Sequence, residues 1–261
     1  MITHVLNRGG WTLPVKLGKR PPKYDPRTLQ FARYVSRVLP AYPKFADWMS
    51  RAQDWGMMLN DTLGDCTIAC AGHQVQAWTT YASSEVIIPD SSILLAYESP
   101  ETGGYVPGDP STDNGCAIID VLNYWRQTGI GGHKILAYVQ LDPRNAAHVR
   151  CAIDLFGSVY IGLALPITAQ AQNGCWWVSG VTGDGAPGSW GGHAIPIMWY
   201  SPKIYQLVTW GQTWWLTPGF LDTYCDEAYA IISQDWIEAN GLSPSQFNLA
   251  QLQADLAEVA A

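Results

Sequence analysis

Apolar residues recur at helical spacing through the first half of the chain and alternate with polar residues through the second half. Spacing of three and four residues predicts helices, whereas period-two alternation predicts strands. The predicted helices cover residues 27–39, 66–83, 90–98, 116–129, 143–157 and a C-terminal stretch over 243–260. The predicted strands cover residues 134–142, 158–166, 193–201, 205–211 and 228–233. This order indicates an α+β protein, with a helical lobe packed on an antiparallel sheet or open barrel.

The stretch LNDTLGDCTIAC, residues 59–70, places a cysteine at the start of the long helix 66–83. Asp65 is a suitable N-cap, because its side chain can accept a hydrogen bond from the first turn. A helix N-terminus lowers the pKa of a thiol, so Cys66 is a candidate nucleophile. The alternative for Cys66 is a buried, unreactive thiol, which is the interpretation of Cys70 one turn further along.

Among the five histidines, His193 is the candidate base. It follows the glycine-rich turn GSWGG and opens an apolar strand, which would fix its ring. His73 lies seven residues beyond Cys66 on the same helix. At about 1.5 Å per residue, the separation is roughly 10 Å and too long for proton transfer.

The composition is that of a packed globular protein, since 48% of the 261 residues are hydrophobic and 14% are charged. No apolar run of about 18 residues is present, so no membrane span is expected. The N-terminus lacks the hydrophobic core of a signal peptide, which favours a reducing, cytoplasmic location with free thiols. The six cysteines have no zinc-ligand spacing, so neither a metal nor a cofactor is expected.

Charge is unevenly distributed along the chain. Residues 1–51 contain ten of the 15 basic residues but, in Asp25 and Asp47, only two of the 22 acidic ones. This basic N-terminal arm either packs on its own acidic body or docks a protein partner. The acidic body argues against nucleic acid, because it repels phosphate. Asp226 and Glu227 are interpreted as capping or ion-pairing residues at a turn rather than as an acid–base pair.

Several segments, in order, resemble the papain-like cysteine peptidases. YPKFADWMSRAQDWGMMLNDTLGDCTIAC is similar to the family's entry into its nucleophile helix, with Asp47 and Trp48 at the family's Asp-Trp pair. DNGCAIIDVLNYWRQTGI is similar to the second-helix region, GGHAIPIMWY to the histidine strand and YQLVTWGQTWW to the next strand. The resemblance covers roughly residues 43–232 and implies the papain-like two-lobed fold.

The resemblance divides the chain into three parts. Residues 1–42 are the basic arm with a short helix, 43–235 the papain-like domain and 236–261 a helical tail. Within the domain, the helical lobe covers about 60–130 and the β lobe about 135–235.

The resemblance also implies the role of each site residue. Cys66 is the nucleophile, and His193 is the base and then the acid toward the leaving group. Asn60, six residues before the cysteine, stands where the family has its oxyanion-hole glutamine and acts with the Cys66 N–H. Trp210 shields the base from water. The implied substrate is a peptide or protein.

One position departs from the family pattern. The orienting asparagine of the family, two residues before Trp210, is Val208 here. Valine cannot accept a hydrogen bond from the imidazole Nδ1–H. Thr209 points to the other face of a regular strand unless a bulge re-aims it, and Gln206 is on the right face but one repeat away.

Two functions therefore stay open. The first is a thiol hydrolase that cleaves a peptide, isopeptide or other amide through an acyl-enzyme. The alternative is a catalytically weakened or inactive papain-like scaffold that serves as a structural or interaction protein. The runs NDxxGDC, GGHA, TWG and DEAYA also resemble papain-like proteins of bacteria and bacteriophages, which implies a virion-associated location as the alternative to the cytoplasm.

Overall fold

The computed structural model describes residues 4–8, 11–34 and 41–251. The helices are α1 (Phe31–Tyr34), α2 (Cys66–Ala82), α3 (Asp90–Glu98), α4 (Ile118–Gln127), α5 (Ala146–Phe156) and α6 (Pro218–Tyr224). The strands are β1 (His4–Arg8), β2 (Trp11–Val15), β3 (Leu29–Gln30), β4 (Ala46–Asp47), β5 (Ile135–Leu141), β6 (Val159–Leu165), β7 (Cys175–Trp176), β8 (Gly191–Tyr200), β9 (Tyr205–Thr209), β10 (Gln212–Leu216) and β11 (Cys225–Ser233).

Within the described residues, nine strands form one mixed sheet in the order β3-β5-β11-β6-β8-β9-β10-β7, with β4 paired to β8. Most neighbouring strands are antiparallel, but β3 runs parallel to β5 and β7 parallel to β10. β1 and β2 form a separate antiparallel pair. Because β3 belongs to the segment interpreted as the arm, that segment is joined to the main sheet.

The structure confirms the α+β class and most of the predicted elements. The helix expected over 27–39 is described only as α1, after strand β3, and its residues 35–39 lie outside the described ranges. The tail helix starts after Asn248, whose side chain accepts a hydrogen bond from the Gln251 N–H (2.9 Å). Its remainder lies outside the described residues. The pattern did not predict β10 or α6, because adjacent tryptophans and a Pro-Gly pair obscure their period.

Helix α2 is the central element of the helical side. It is buried along nearly its whole length and packs on β8, α3 and α4. Two of its buried polar side chains are tied to neighbouring segments: His73 Nε2 lies 2.9 Å from the Trp55 carbonyl oxygen, and Gln74 donates to Ser158 Oγ (2.6 Å). Such pairing removes most of the cost of burying these groups. The first turn of α2 is therefore held firmly in the interior.

Strand β8 contains one extra residue. Ile197 pairs with Leu207 of β9, whereas Trp199 pairs with Gln206, so the register shifts at Met198. The Met198 carbonyl is bonded instead to the backbone just after β4 (3.0 Å). The shift changes which side chains of β9 share a face with the start of β8.

A two-residue turn of Trp210 and Gly211 joins β9 to β10. Thr209 pairs with Gln212, and φ is 47° at Trp210 and 67° at Gly211, as in a type I′ hairpin turn. A side chain in the left-handed region costs about 1–2 kcal/mol. The surroundings of the indole must offset that cost.

The core consists of two large groups of buried apolar side chains that meet at the sheet. One contains residues of α5 with one side of β6, β8 and β9, and the other contains residues of α2, α3 and α4. Among the described residues, no helix has both the length and the apolar character needed to cross a membrane.

Candidate active site

Cys66 is the first residue of α2 and is almost fully buried, with 1% of its surface exposed. Asp65 occupies the N-cap position, but its side chain makes no cap hydrogen bond, so this prediction is wrong. Its backbone (φ −101°, ψ 16°) departs from the extended conformation that lets an N-cap side chain reach the first turn. The carboxyl is fully buried instead, and burial raises the pKa of Asp65 well above its ordinary value.

The Cys66 thiol is neutral in this structure. Burial raises the pKa of Cys66 to about 12, although the backbone N–H groups of Ala194 and Gly18 oppose this effect. The expectation of a thiol pKa lowered by the helix N-terminus is therefore wrong for the covered site. Desolvation of a thiolate outweighs the helix dipole here.

His193 lies near the start of β8, and neighbouring side chains fix its ring. Nε2 lies 2.8 Å from the Thr209 hydroxyl oxygen. The Trp210 indole is stacked on the imidazole, with ring centroids 4.4 Å apart and planes 17° apart. Nδ1 is buried and has no hydrogen-bond partner among the described residues. Burial lowers the pKa of His193 to about 3, so the imidazole is neutral.

The extra residue in β8 decides which side chain orients the base. With the shifted register, Thr209 shares a face with His193, whereas Val208 and Gln206 lie on the opposite face of β9. Val208 packs in a buried cluster with Met198, and Gln206 lines a separate groove. The prediction that Gln206 supports the base is therefore wrong. The contact is also made by Nε2, not by Nδ1 as expected.

Asn60 is buried in the loop before α2 and lines the same small cavity as Cys66. Its amide nitrogen donates to the Leu63 carbonyl (3.1 Å). The same side chain also interacts with the Asp65 carboxyl and partly opposes the rise in the pKa of Asp65. Met58 and Leu59, which precede it, have φ values of 51° and 67°. Such strained backbone is typical of functional loops.

The cavity between these side chains is almost closed. The space open to the centre of a water molecule is about 10 Å³, close to the minimum for one water. Cys66, His193 and Asn60 line it together with Cys70 and His73. Burial lowers the pKa of His73 to about 4, and its hydrogen bond to the backbone ties it to the loop before α2. In this state no peptide can enter.

A segment of the N-terminal arm closes the site. We call residues 16–20 the covering segment. Backbone hydrogen bonds tie it to both sides of the cleft: Lys16 N to Asn60 O (3.0 Å), Cys116 N to Gly18 O (2.8 Å), Arg20 N to Cys116 O (2.8 Å) and Lys19 N to Gly192 O (3.0 Å). Trp210 Nε1 also donates to the Lys16 carbonyl (3.1 Å). This contact helps to hold the indole in its left-handed backbone conformation.

Glycines allow the covering segment to approach the cleft closely. A Cβ placed on Gly18 would lie 1.7 Å from the Gly64 carbonyl oxygen. A Cβ on Gly115 would lie 1.8 Å from the Gly18 oxygen, and one on Gly192 would lie 2.1 Å from the Lys19 oxygen. Because real side chains do not come within 3.0 Å, this fit requires glycine at all three positions.

Charged side chains of the arm pair with the acidic body. The ion pairs are Lys19 with Asp226 (2.9 Å) and Glu227 (3.3 Å), Lys16 with Asp113 (3.9 Å), and Lys23 with Asp120. The described part of the arm therefore packs on its own body, the first of the two interpretations of its charge.

All six cysteines are free thiols. The described ranges contain no group of three or more His, Cys, Asp or Glu that could hold a metal ion.

Comparison with solved structures identifies the fold. Xylellain, a cysteine protease from Xylella fastidiosa, matches with a TM-score of 0.63 at 14% identity, over 84% of this chain and 96% of that chain. The Carica candamarcensis cysteine protease CMS1MS2, solved with E-64, matches with 0.52 at 14% identity, over 74% and 99%. The protease and lectin-like domains of Clostridium difficile Cwp84 match with 0.57 at 11% identity, over 84% and 56%. The chain has the papain-like fold.

No family model and no curated protein matches this chain. The papain-like fold predicted from the sequence is confirmed by structures that share only 11–14% of its residues. At that identity the comparison establishes the chain trace, and the chemistry has to be argued from this chain's own side chains.

Sequence reasoning missed the covering segment and the place of Lys19 within the papain-like fold. Their signal is faint, because a glycine and a lysine in PVKLGKRPP are typical of an exposed loop. The available hint was the apolar pair Val15 and Leu17 beside Gly18, which indicates packing against the body rather than solvent.

Proposed function

We propose that this protein is a papain-like cysteine peptidase, with Cys66 as nucleophile and His193 as base. The observation that carries the proposal is the state of His193. Thr209 and Trp210 fix its ring, and Nδ1 is left without a partner in a cavity that Cys66 also lines. A base needs a free lone pair, a fixed orientation and a nucleophile within reach.

The reaction proceeds in two stages. Nδ1 of His193 takes the thiol proton, and the sulfur attacks the substrate carbonyl carbon to form a C–S bond. The C–N bond then breaks, and the leaving amine takes the proton from the imidazolium. Water, deprotonated by His193, attacks the thioester, which releases a carboxylic acid and returns Cys66 to its starting state.

Supporting roles follow from the same contacts. In the tautomer that acts as base, Nε2–H donates to the Thr209 hydroxyl, which leaves the lone pair on Nδ1. The Trp210 indole keeps water from the imidazole. Asn60 and the Cys66 N–H are the donors for the oxyanion, and we expect the Asn60 amide to turn from Leu63 toward the substrate.

Hydrolysis of a fluorescently quenched casein by the full chain with Gly18→Ala, which displaces the covering segment, tests this proposal. We expect activity that is lost when Cys66→Ala or His193→Ala is added but kept when Cys70→Ala, which removes the neighbouring thiol, is added. E-64, the compound bound by the Carica protease, should add its mass at Cys66 in the Gly18→Ala variant. Equal activity of Gly18→Ala with and without Cys66→Ala would contradict the proposal.

The second candidate function is a binding scaffold without catalysis. It is favoured by one observation, that the covering segment fills the cleft and leaves Cys66 buried. The valine at position 208 is a weaker argument for a scaffold, because Thr209 contacts the base instead. If Cys66 reacts with E-64 no faster than Cys225 in any variant, the scaffold is the better account. The bacteriophage association and the location in cytoplasm or virion stay predictions.

A further inference from the structure

The side chain of Lys19 enters an acidic pocket in the sheet, formed by the buried Glu227 and the partly exposed Asp226. It is 1% exposed, and its Nζ lies 2.9 Å from Asp226 Oδ2 and 3.3 Å from Glu227 Oε1. The Arg20 carbonyl oxygen lies 3.2 Å from the same nitrogen. Asp226 and the Arg20 carbonyl accept hydrogen bonds from the ammonium group, and the Glu227 carboxylate pairs with its charge.

The walls of this pocket are fitted to an unbranched side chain. A Cβ on Gly162 of β6 would lie 2.2 Å from Lys19 Cε, so the stem passes directly over that glycine. The Tyr229 hydroxyl donates to the other oxygen of Glu227 (2.9 Å) and fixes the carboxylate. We call Gly162, Asp226, Glu227 and Tyr229 the lysine pocket.

The lysine pocket lies beside the candidate active site. Gly18, the residue before Lys19, has its backbone N–H facing the Cys66 sulfur. The backbone of the covering segment is held through N–H and C=O groups, against Cys116 and Gly192. Any extended peptide carries those groups, but the close fit at Gly18 requires a glycine before the lysine. The lysine is the side chain of the segment that enters the acidic pocket.

We propose that the lysine pocket is a specificity subsite of the cleft, which selects peptide substrates with an unmodified lysine and is filled here by the chain's own Lys19. This inference rests on the proposed peptidase function. Glu227 is buried, and a buried carboxylate without a cation is unfavourable, so an uncharged side chain is disfavoured in place of the lysine. Arginine is disfavoured, because its broad planar head does not fit the narrow passage over Gly162.

Peptide binding tests the pocket without depending on turnover. The host is the full chain with Lys19→Ala, which vacates the pocket, and Cys66→Ala, which removes catalysis. The probe is a fluorescein-labelled peptide with the sequence VKLGKRP of residues 15–21, measured by fluorescence anisotropy. Matched probes carry norleucine or acetyl-lysine at its second lysine. We expect the lysine peptide to bind at least tenfold more tightly than either.

Variants of the pocket supply the controls. Glu227→Gln in the same host should abolish the preference for lysine over norleucine, whereas Asp222→Asn, an exposed carboxylate on α6, should leave it unchanged. If Lys19→Ala does not fold, Gly18→Ala with Cys66→Ala is the host, since it displaces the segment without altering the pocket. Equal binding of the lysine and norleucine peptides, or no binding of either, would overturn the inference.

The two proposals fail in different ways. If the lysine peptide binds selectively but no variant that retains Cys66 hydrolyses casein or reacts with E-64, the pocket stands and the peptidase function falls. If casein is cleaved but the binding preference is absent, the lysine pocket only anchors the arm.

Discussion

Substitution of Gly18 by alanine should uncover the candidate nucleophile. The new methyl group would lie 1.7 Å from the Gly64 carbonyl oxygen, so the covering segment has to move by more than 1 Å to reach an ordinary contact of at least 3.0 Å. That movement breaks its short backbone hydrogen bonds to the cleft, each worth about 1 kcal/mol.

The expected magnitude follows from the thiol. Burial holds the pKa of Cys66 at about 12, and exposure returns it toward the free-cysteine value of about 8.5. At about pH 7.5 the thiolate fraction then rises on the order of 10³-fold, and alkylation rises in proportion because the thiolate is the reacting form.

Iodoacetamide labelling followed by peptide mass mapping measures this rate at each cysteine. Gly219→Ala is the matched control, because a methyl group there meets no atom within 4 Å. We expect faster labelling of Cys66 in Gly18→Ala alone, with the rate at Cys225 unchanged. A rate at Cys66 equal to that of wild type in folded Gly18→Ala protein would refute the view that the covering segment protects the thiol.

Three further predictions concern the base and its surroundings. Thr209→Val should leave His193 Nε2 unpaired, lower the free energy of unfolding by about 1–3 kcal/mol and reduce casein hydrolysis, whereas Thr209→Ser should retain both; urea unfolding and the hydrolysis assay measure these effects. Trp210→Phe keeps the stacked ring but loses the hydrogen bond to Lys16, so Cys66 labelling should accelerate by about fivefold, which a rate unchanged from wild type would contradict. His73 has a folded pKa of about 4 against an ordinary 6.5, so between these pH values only the unfolded chain binds its proton. His73 should therefore contribute a fall in the free energy of unfolding of about 1.4 kcal/mol per pH unit as pH drops through this window, and His73→Gln should remove that contribution in urea titrations at pH 7 and 5.

Local pattern was sufficient to predict α2, α4, α5 and the strands that carry the site. These elements have clear periods, and Cys66 and His193 stand at the element starts where the resemblance placed them. The pairing partner of the base was harder to predict, because a register shift depends on contacts between distant segments. Nothing within β9 indicates that Met198 adds a residue to the neighbouring strand.

The local sequence pattern could not predict that the site is covered. Whether a cysteine at a helix N-terminus is activated depends on which residues pack against its sulfur, and residues 16–20 come from a distant part of the chain. The same applies to Asp65, whose type suits a cap but whose backbone conformation directs it into the interior.

The extra residue at Met198 has a consequence for how relatives of this chain should be recognised. An alignment column that demands asparagine two places before Trp210 meets Val208 and would score the chain as a dead homologue. The oxygen beside the imidazole is present, but it comes from the next column, because the extra residue in β8 shifts the register of β9. Screens for divergent members should therefore allow the two strands to slip against each other and search for a hydroxyl or amide in either column.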